Sequence, residues 1–290
     1  MTTWFDSPDA VTRALAGVGY LADQATATTV FLASTLERPV LVEGPAGVGK
    51  TELAKSVATA AQAELIRLQC YEGLDESRAL YEWNYKKQLL RIQAAPDQQA
   101  WEQTHDDIFT EEFLLTRPLL SAIRRTGPTV LLIDEADKTD VEVEALLLEV
   151  LSEFQVTVPE LGTIVAQRRP FVVVTSNATR ELSEALKRRC LYLYLDYPAP
   201  EREREIVLTR VPGIAAELAE QIVRTAAVLR TLELKKSPSV AETIDWARTL
   251  VALGADSLDE KTTSSTLGVV LKHATDHTRA RKELGLPAAE

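Results

Sequence analysis

Val40-Leu41-Val42-Glu43-Gly44-Pro45-Ala46-Gly47-Val48-Gly49-Lys50-Thr51 is the stretch that decides how the chain is read. A short β-branched run ends in a glycine-rich turn, and a helix-forming segment, 52–61, follows at once. This is the spacing G-x-x-x-x-G-K-[ST] of a phosphate-binding loop, in the strand–loop–helix context that gives the motif its meaning. The glycines allow a tight loop whose backbone N–H groups turn inward onto phosphate oxygens. The helix that follows adds its positive N-terminal end. In such a loop Gly44, Pro45, Ala46, Gly47, Val48 and Gly49 form the cradle. Lys50 reaches the β- and γ-phosphates, and the Thr51 hydroxyl holds Mg²⁺. An ordinary glycine turn between a strand and a helix would share some of these letters, so the reading leans on a second motif downstream.

That motif follows Thr129-Val130-Leu131-Leu132-Ile133, a continuous apolar run suited to a central parallel strand buried on both faces. It ends in Asp134-Glu135-Ala136-Asp137, 84 residues after the loop lysine. An acidic pair at the carboxyl end of such a strand is the Walker B arrangement. Asp134 is expected to hold Mg²⁺ through water, and Glu135 to orient or deprotonate an attacking water. A third apolar run, Phe171–Thr175, delivers Ser176 and Asn177 to the crevice where α/β sheets bind ligands. Asn177 is a candidate to hold the water beside Glu135.

Glu64–Leu68 and Leu191–Leu195 complete a set of five strands. The expected fold class is therefore α/β, a P-loop NTPase αβα sandwich with a five-stranded parallel sheet. Upstream, residues 8–37 read as one or two helices, started by Ser7-Pro8-Asp9. Between the second and third strands, 70–118 exceeds what a minimal βαβ unit needs. There Asp75–Arg91 reads as a helix carrying Tyr81, Trp83 and Tyr85, and Ala94–Asp107 as a surface loop or weakly packed helix. The aromatic residues fit either a helix buried against the domain or an element that projects towards a partner. Val143–Phe154 has an amphipathic stripe, and a β-hairpin is expected over 155–166. Glu181–Lys187 reads as a helix running into Arg188 and Arg189, which are placed to reach a neighbouring subunit's γ-phosphate. Past Pro198-Ala199-Pro200 only helical patterns remain, namely Glu201–Val211, Ile214–Leu232, Val240–Leu253 and Thr262–Lys282. The expected division is 1–198 as a nucleotide-binding domain and 199–290 as a smaller all-α lid.

The 290 residues are 46% hydrophobic and 26% charged, a globular balance. No apolar run is long enough to span a bilayer and no signal-peptide pattern opens the chain. Two cysteines make neither a disulfide framework nor a metal cluster, so a cytoplasmic location is expected. The net charge of 32 − 43 = −11 repels phosphate backbones and argues against nucleic acid as the partner.

Taken together, Gly44–Thr51, Asp134-Glu135, Ser176-Asn177, Arg188-Arg189 and the trailing helices resemble the AAA+ ATPases. In that family Asn177 would be sensor 1. The hairpin before the sensor-1 strand and the extra segment after the second strand look like the helix-2-insert group. Leu182–Cys190 is similar to the corresponding stretch of MoxR-type ATPases, which implies Arg189 as the arginine finger with Arg188 second. A sensor-2 arginine is usual just after a Ser-Pro dipeptide, whereas here Ser239 follows Ser237-Pro238. Lys236–Ala247 looks closest to the subgroup that matures carbon monoxide dehydrogenase and related molybdenum enzymes. The resemblance implies ATP and Mg²⁺ as cofactors and a homo-oligomer, expected as a hexameric ring. It also implies a von Willebrand factor A-domain partner and remodelling of a protein client. Asp134–Asp137 also spells the DEAD-box helicase motif, but no strands follow Pro200 to build a second half. A small-molecule kinase would not need the acidic pair, Asn177 and the terminal arginines together.

Overall fold

The computed structural model describes residues 4–93 and 108–287. The polar segment expected at Ala94–Asp107 lies outside the described residues. The chain forms two compact units. The first holds the residues up to Val18, Ala22–Glu43 and Thr51–Tyr194; the second holds Gly19–Leu21, Gly44–Lys50 and the chain from Leu195.

In the first unit, α1 (Pro8–Gly17) starts where the Ser7 hydroxyl accepts from Ala10 N–H at 3.1 Å. α2 (Gln24–Leu36) starts on Asp23, whose carboxylate accepts from Thr26 N–H at 2.7 Å. The strands β1 (Val40–Glu43) and β2 (Glu64–Gln69) flank α3 (Lys50–Ala60) in the chain. Next come α4 (Glu76–Ala79), β3 (Tyr81–Trp83), α5 (Tyr85–Gln93), β4 (Leu114–Thr116) and α6 (Pro118–Arg124). β5 (Thr129–Asp134) leads to α7 (Val141–Glu153), the hairpin β6 (Gln155–Val158) and β7 (Gly162–Val165), and β8 (Phe171–Ser176). α8 (Glu184–Arg189) and β9 (Leu191–Tyr194) close the unit.

The sheet has five parallel strands in the order β2-β5-β8-β1-β9. Every residue of β5 and β8 is buried, as their unbroken apolar runs require. Parallel pairing brings all five carboxyl ends to one edge. There Gln69 stands opposite Asp134, and Glu43 opposite both Ser176 and Tyr194.

The single helix expected over Asp75–Arg91 is instead a turn of helix, a strand and a second helix. Tyr81-Glu82-Trp83 pairs antiparallel with 114–116, and Trp83 packs edge-on against Phe109 with ring centroids 5.1 Å apart. Aromatic residues in alternation favour the pleated, half-buried surface over a helix. The helix restarts because the Asn84 side chain accepts from Lys87 N–H at 3.1 Å. Trp83 is 7% exposed and belongs to the core, whereas Tyr85 is 63% exposed. The helix expected from Glu181 begins three residues later, where Ser183 caps it.

The second unit carries α9 (Pro200–Arg210), α10 (Ala216–Thr231), α11 (Val240–Ala252), α12 (Glu260–Val270) and α13 (Ala274–Glu283). The expected helix Thr262–Lys282 is thus two helices. Leu271 turns extended, and the Lys272 ammonium donates to the Gly268 and Val269 carbonyls at 3.0 and 2.7 Å, ending α12. Trp246 is fully buried in this unit's core, its indole N–H donating to the Thr266 hydroxyl at 2.8 Å. Glu203, fully buried, takes both prongs of the Arg230 guanidinium at 2.5 and 2.7 Å. Arg230 also donates to the Pro238 carbonyl at 2.7 Å, fixing the turn before α11. Among the described residues no helix is long and apolar enough to cross a membrane.

Candidate active site

The glycine-rich loop belongs to the second unit. Gly44, Gly47 and Gly49 all have positive φ, at 148°, 76° and 105°. A Cβ on Gly44 would sit 1.9 Å from the Leu195 carbonyl oxygen, and one on Gly47 would sit 2.4 Å from the Ser239 hydroxyl oxygen. Only glycine fits these two positions, so the loop that the spacing predicts is built by close approach as well as by dihedral freedom. Lys50 is 7% exposed, and its ammonium donates to the carbonyls of Gly44 and Pro45 at 2.6 and 2.8 Å. A buried lysine coiled back over a loop of inward backbone is a fit for a polyphosphate.

The loop also meets two segments that the sequence reading did not connect with it. Ala241 N–H, in the first turn of α11, donates to the Gly47 carbonyl at 3.1 Å. Beside it Ser239 and Glu242 form a reciprocal capping box. Burial opposes the ionisation of Glu242, but Lys236 and the Ser239 N–H and hydroxyl more than offset it and hold the carboxyl below its usual range. At the position where a sensor-2 arginine was missing, the chain thus has a capped helix start bonded to the loop backbone. The Tyr20 ring lies 3.7 Å from where a Cβ on Gly49 would stand.

The first unit carries the acidic pair. Asp134 is 2% exposed and receives a dense set of donors. Its Oδ1 accepts from the Thr51 hydroxyl at 2.9 Å and the Thr175 hydroxyl at 2.5 Å. Its Oδ2 accepts from Arg67 Nε and Nη2 at 3.0 and 2.6 Å. A hydroxyl and a carboxylate side by side are hard oxygen donors of the kind that hold Mg²⁺, which completes its shell with phosphate oxygens and water. No cluster of three or more His, Cys, Asp or Glu suited to a metal occurs among the described residues.

Glu135 sits at φ 59°, ψ 48°, a left-handed conformation uncommon for a residue with a side chain. Its N–H donates to the Thr175 hydroxyl at 2.9 Å, so one hydroxyl serves both acids. Its carboxylate accepts from the Gln69 amide at 3.0 Å and the Lys138 ammonium at 2.6 Å. Asn177 is half-buried in the turn after β8, and its backbone N–H donates to Asp137. Asp137 also accepts from the Thr179 hydroxyl at 2.6 Å and N–H at 3.0 Å. Burial works against its charge, but these bonds outweigh it and keep the carboxyl below the ordinary range. The last letter of the D-E-A-D string is therefore a fastener between two loops. Cys70, next to Gln69, is pushed up to about 12 by burial, with Asp134 adding to the effect, so it stays an unreactive thiol.

The two arginines at the end of α8 differ. Arg189 donates to the Ser152 hydroxyl and, at 2.9 Å, to the Ala185 carbonyl. Arg188 is exposed, and among the described residues its side chain has no polar partner. Sequence reasoning missed Thr175, Arg67, Gln69 and Lys138. The available signals were a hydroxyl at the end of an apolar strand and a charge inside a short strand.

Residues 40–195 match the ATPase family associated with various cellular activities (AAA), over half of the chain. The chain is 36% identical over 146 residues to chaperone protein ClpB 2 of Parasynechococcus marenigrum, covering 48% of this chain and 14% of that protein. It is 27% identical over 256 residues to chaperone protein ClpB of Staphylococcus aureus, covering 81% of this chain and 25% of that one. It thus spans a quarter or less of the length of these two relatives. An uncharacterized protein of Staphylococcus haemolyticus, SH1500, is 24% identical over 224 residues, covering 75% of this chain and 77% of its own. Among solved structures, the Thermotoga maritima RuvB Holliday junction branch migration motor aligns with a TM-score of 0.45 at 18% identity, over 90% of this chain and 80% of that one. The glycine-rich loop, the acidic pair ending β5 and the match across 40–195 lead to one conclusion: the chain belongs to the AAA family of ATPases.

Proposed function

We propose that this ATPase works as an oligomer, a hexameric ring of the MoxR type, coupling hydrolysis of ATP to remodelling of a client protein. Residues 1–198 act as the nucleotide-binding domain and 199–290 as its lid. The observation that carries the reading is the arrangement at the end of β5. A buried aspartate shares its oxygen with the loop threonine, and a glutamate beside it is held by exchangeable polar partners. The ClpB relatives, named as chaperones, support protein rather than nucleic acid as the client, as does the charge of −11. A von Willebrand factor A-domain partner, a role in metalloenzyme maturation and a cytoplasmic location belong to the same proposal.

In this mechanism the backbone of 44–49 and Lys50 grip the phosphates, and Thr51 and Asp134 hold Mg²⁺. When bound, the ion offsets charge on the phosphoryl oxygens. Glu135 takes a proton from the attacking water once it leaves Gln69 and Lys138, and Asn177 orients that water. An arginine from the neighbouring subunit completes the site. The Arg188 guanidinium has no polar partner among the described residues, while Arg189 has first to leave Ser152 and Ala185.

The test is a pair of variants read by nucleotide binding and steady-state turnover. Lys50→Ala should lose ATP binding. Glu135→Gln should bind ATP with near-normal affinity and barely hydrolyse it, giving a trap from which clients are recovered. Normal turnover by Glu135→Gln would remove Glu135 from the chemistry.

A further inference from the structure

Arg67 stands against Asp134 and Gln69 at the ends of two neighbouring strands, and neither the motif nor the family match assigns it a role. Its guanidinium puts two donors on Asp134 Oδ2, at 3.0 Å from Nε and 2.6 Å from Nη2. The same Nη2 donates to Gln69 Oε1. The other end of the Gln69 amide, Nε2, donates to Glu135 Oε2 at 3.0 Å. A continuous path of bonds therefore runs Asp134–Arg67–Gln69–Glu135. The partners are unequal in exposure: the Asp134 side chain is 3% exposed and that of Arg67 46%. A carboxylate so buried needs a compensating charge at all times. Arg67 can supply that charge and can also withdraw into solvent.

We propose that Arg67 is a displaceable counter-ion that competes with the divalent cation for Asp134, and whose departure also loosens Gln69. The inference rests on the reading of Asp134 as a metal-holding residue. Because one nitrogen serves both Asp134 and Gln69, the two contacts break together when the guanidinium swings out. The Gln69 amide then loses the bond that fixes its Oε1 and keeps those of Nε2, to Glu135 at 3.0 Å and to the Cys70 carbonyl at 3.4 Å. Arrival of the cation and loosening of Gln69 become one event, while Glu135 keeps the Lys138 ammonium at 2.6 Å. By linkage, weakening any bond in the path favours the cation, because less is broken when it binds.

The experiment measures Mn²⁺ affinity by electron paramagnetic resonance on the full chain, with a non-hydrolysable ATP analogue saturating. Far-ultraviolet circular dichroism and analogue binding establish that each variant is folded. Arg67→Ala should tighten Mn²⁺ about five- to tenfold, Arg67→Gln should do so to a similar degree, and Gln69→Ala about two- to threefold. Unchanged or weaker Mn²⁺ binding in both Arg67 variants would overturn the proposal and leave Arg67 as an anchor for Asp134. Tightening in the Arg67 variants with none in Gln69→Ala would overturn the link to Gln69. Asp134→Asn serves as the separate check. If it leaves Mn²⁺ affinity intact, the metal assignment beneath the proposal has failed; if it weakens binding while the Arg67 variants do nothing, Arg67 alone was misread.

Discussion

Replacing Thr175 by valine removes one hydroxyl and keeps the shape of the side chain. That oxygen, 1% exposed as part of Thr175, donates to Asp134 Oδ1 at 2.5 Å and accepts from Glu135 N–H at 2.9 Å. Asp134 keeps Thr51 and both Arg67 donors, so its loss is that of one charge-assisted bond, about 1.5–3 kcal/mol at most. The Glu135 N–H is left facing a methyl group, and an orphaned backbone donor costs about 1–3 kcal/mol. With partial relaxation the sum is about 2–4 kcal/mol, which lowers the melting temperature by roughly 5–10 °C for a unit of this size. The functional loss should exceed the structural one, since the same bond holds Glu135 in its left-handed conformation. Turnover at saturating ATP should fall about 10- to 100-fold, as for a misplaced general base, with ATP affinity within about threefold. Thr175→Ser keeps the hydroxyl and should retain most of both properties. Scanning calorimetry and a coupled phosphate-release assay read the two effects. A Thr175→Val protein that melts within a degree of the wild type and turns over normally would refute the reasoning.

Arg188→Ala should bind ATP yet lose roughly 10³-fold or more in turnover, and mixing it with Lys50→Ala should restore part of the activity. No rescue in verified mixed oligomers would point back to Arg189. Trp83→Ala should cost about 3–5 kcal/mol of stability as a core truncation, whereas Tyr85→Ala should leave folding and basal turnover unchanged. Equal melting temperatures for the two would contradict the division between core and surface. Glu242, its carboxyl held below the ordinary 4.5, contributes stability above that pH and loses it as the pH falls through the lower folded value. Glu242→Gln should therefore melt lower at neutral pH and show a flatter decline between about pH 5 and 3, followed by thermal scans across that range.

The parts of the fold readable in the sequence were those with unbroken apolar runs or fixed spacing. β5 and β8 are buried along their length and β1 up to Val42, and Gly44 and Gly47 stand where dihedral and steric demands leave no alternative. The hairpin over 155–166 was legible because alternation and a turn coincided. Tyr81–Trp83 misled because three aromatic-rich residues match a helical face as well as a short strand, and the partner, Leu114–Thr116, lies thirty residues away. Leu271–His273 gave no warning of a break, since Lys272 ends the helix by bonding backward to two carbonyls, which leaves no glycine or proline in the sequence. At the site, motif spacing gave Lys50, Thr51, Asp134 and Glu135. Arg67, Gln69 and Thr175 were hidden because their importance is a matter of register across neighbouring strands.

The end of α8 is closed by a residue from far upstream. Arg38 donates to the carbonyls of Arg188 at 2.6 Å, Arg189 at 3.2 Å and Cys190 at 3.4 Å, while Leu191 N–H bonds to the Pro39 carbonyl at 2.7 Å. One guanidinium thus gathers the last open acceptors of the helix just where β9 joins the edge of the sheet. An edge strand has only one neighbour to hold it, so this clasp sets how often the strand peels away. Without Arg38, the amides of 191–194 should exchange with deuterium well ahead of those in β5 and β8. The arginines of α8 would then be carried on a base that opens far more often, reaching any neighbour for a smaller share of the time.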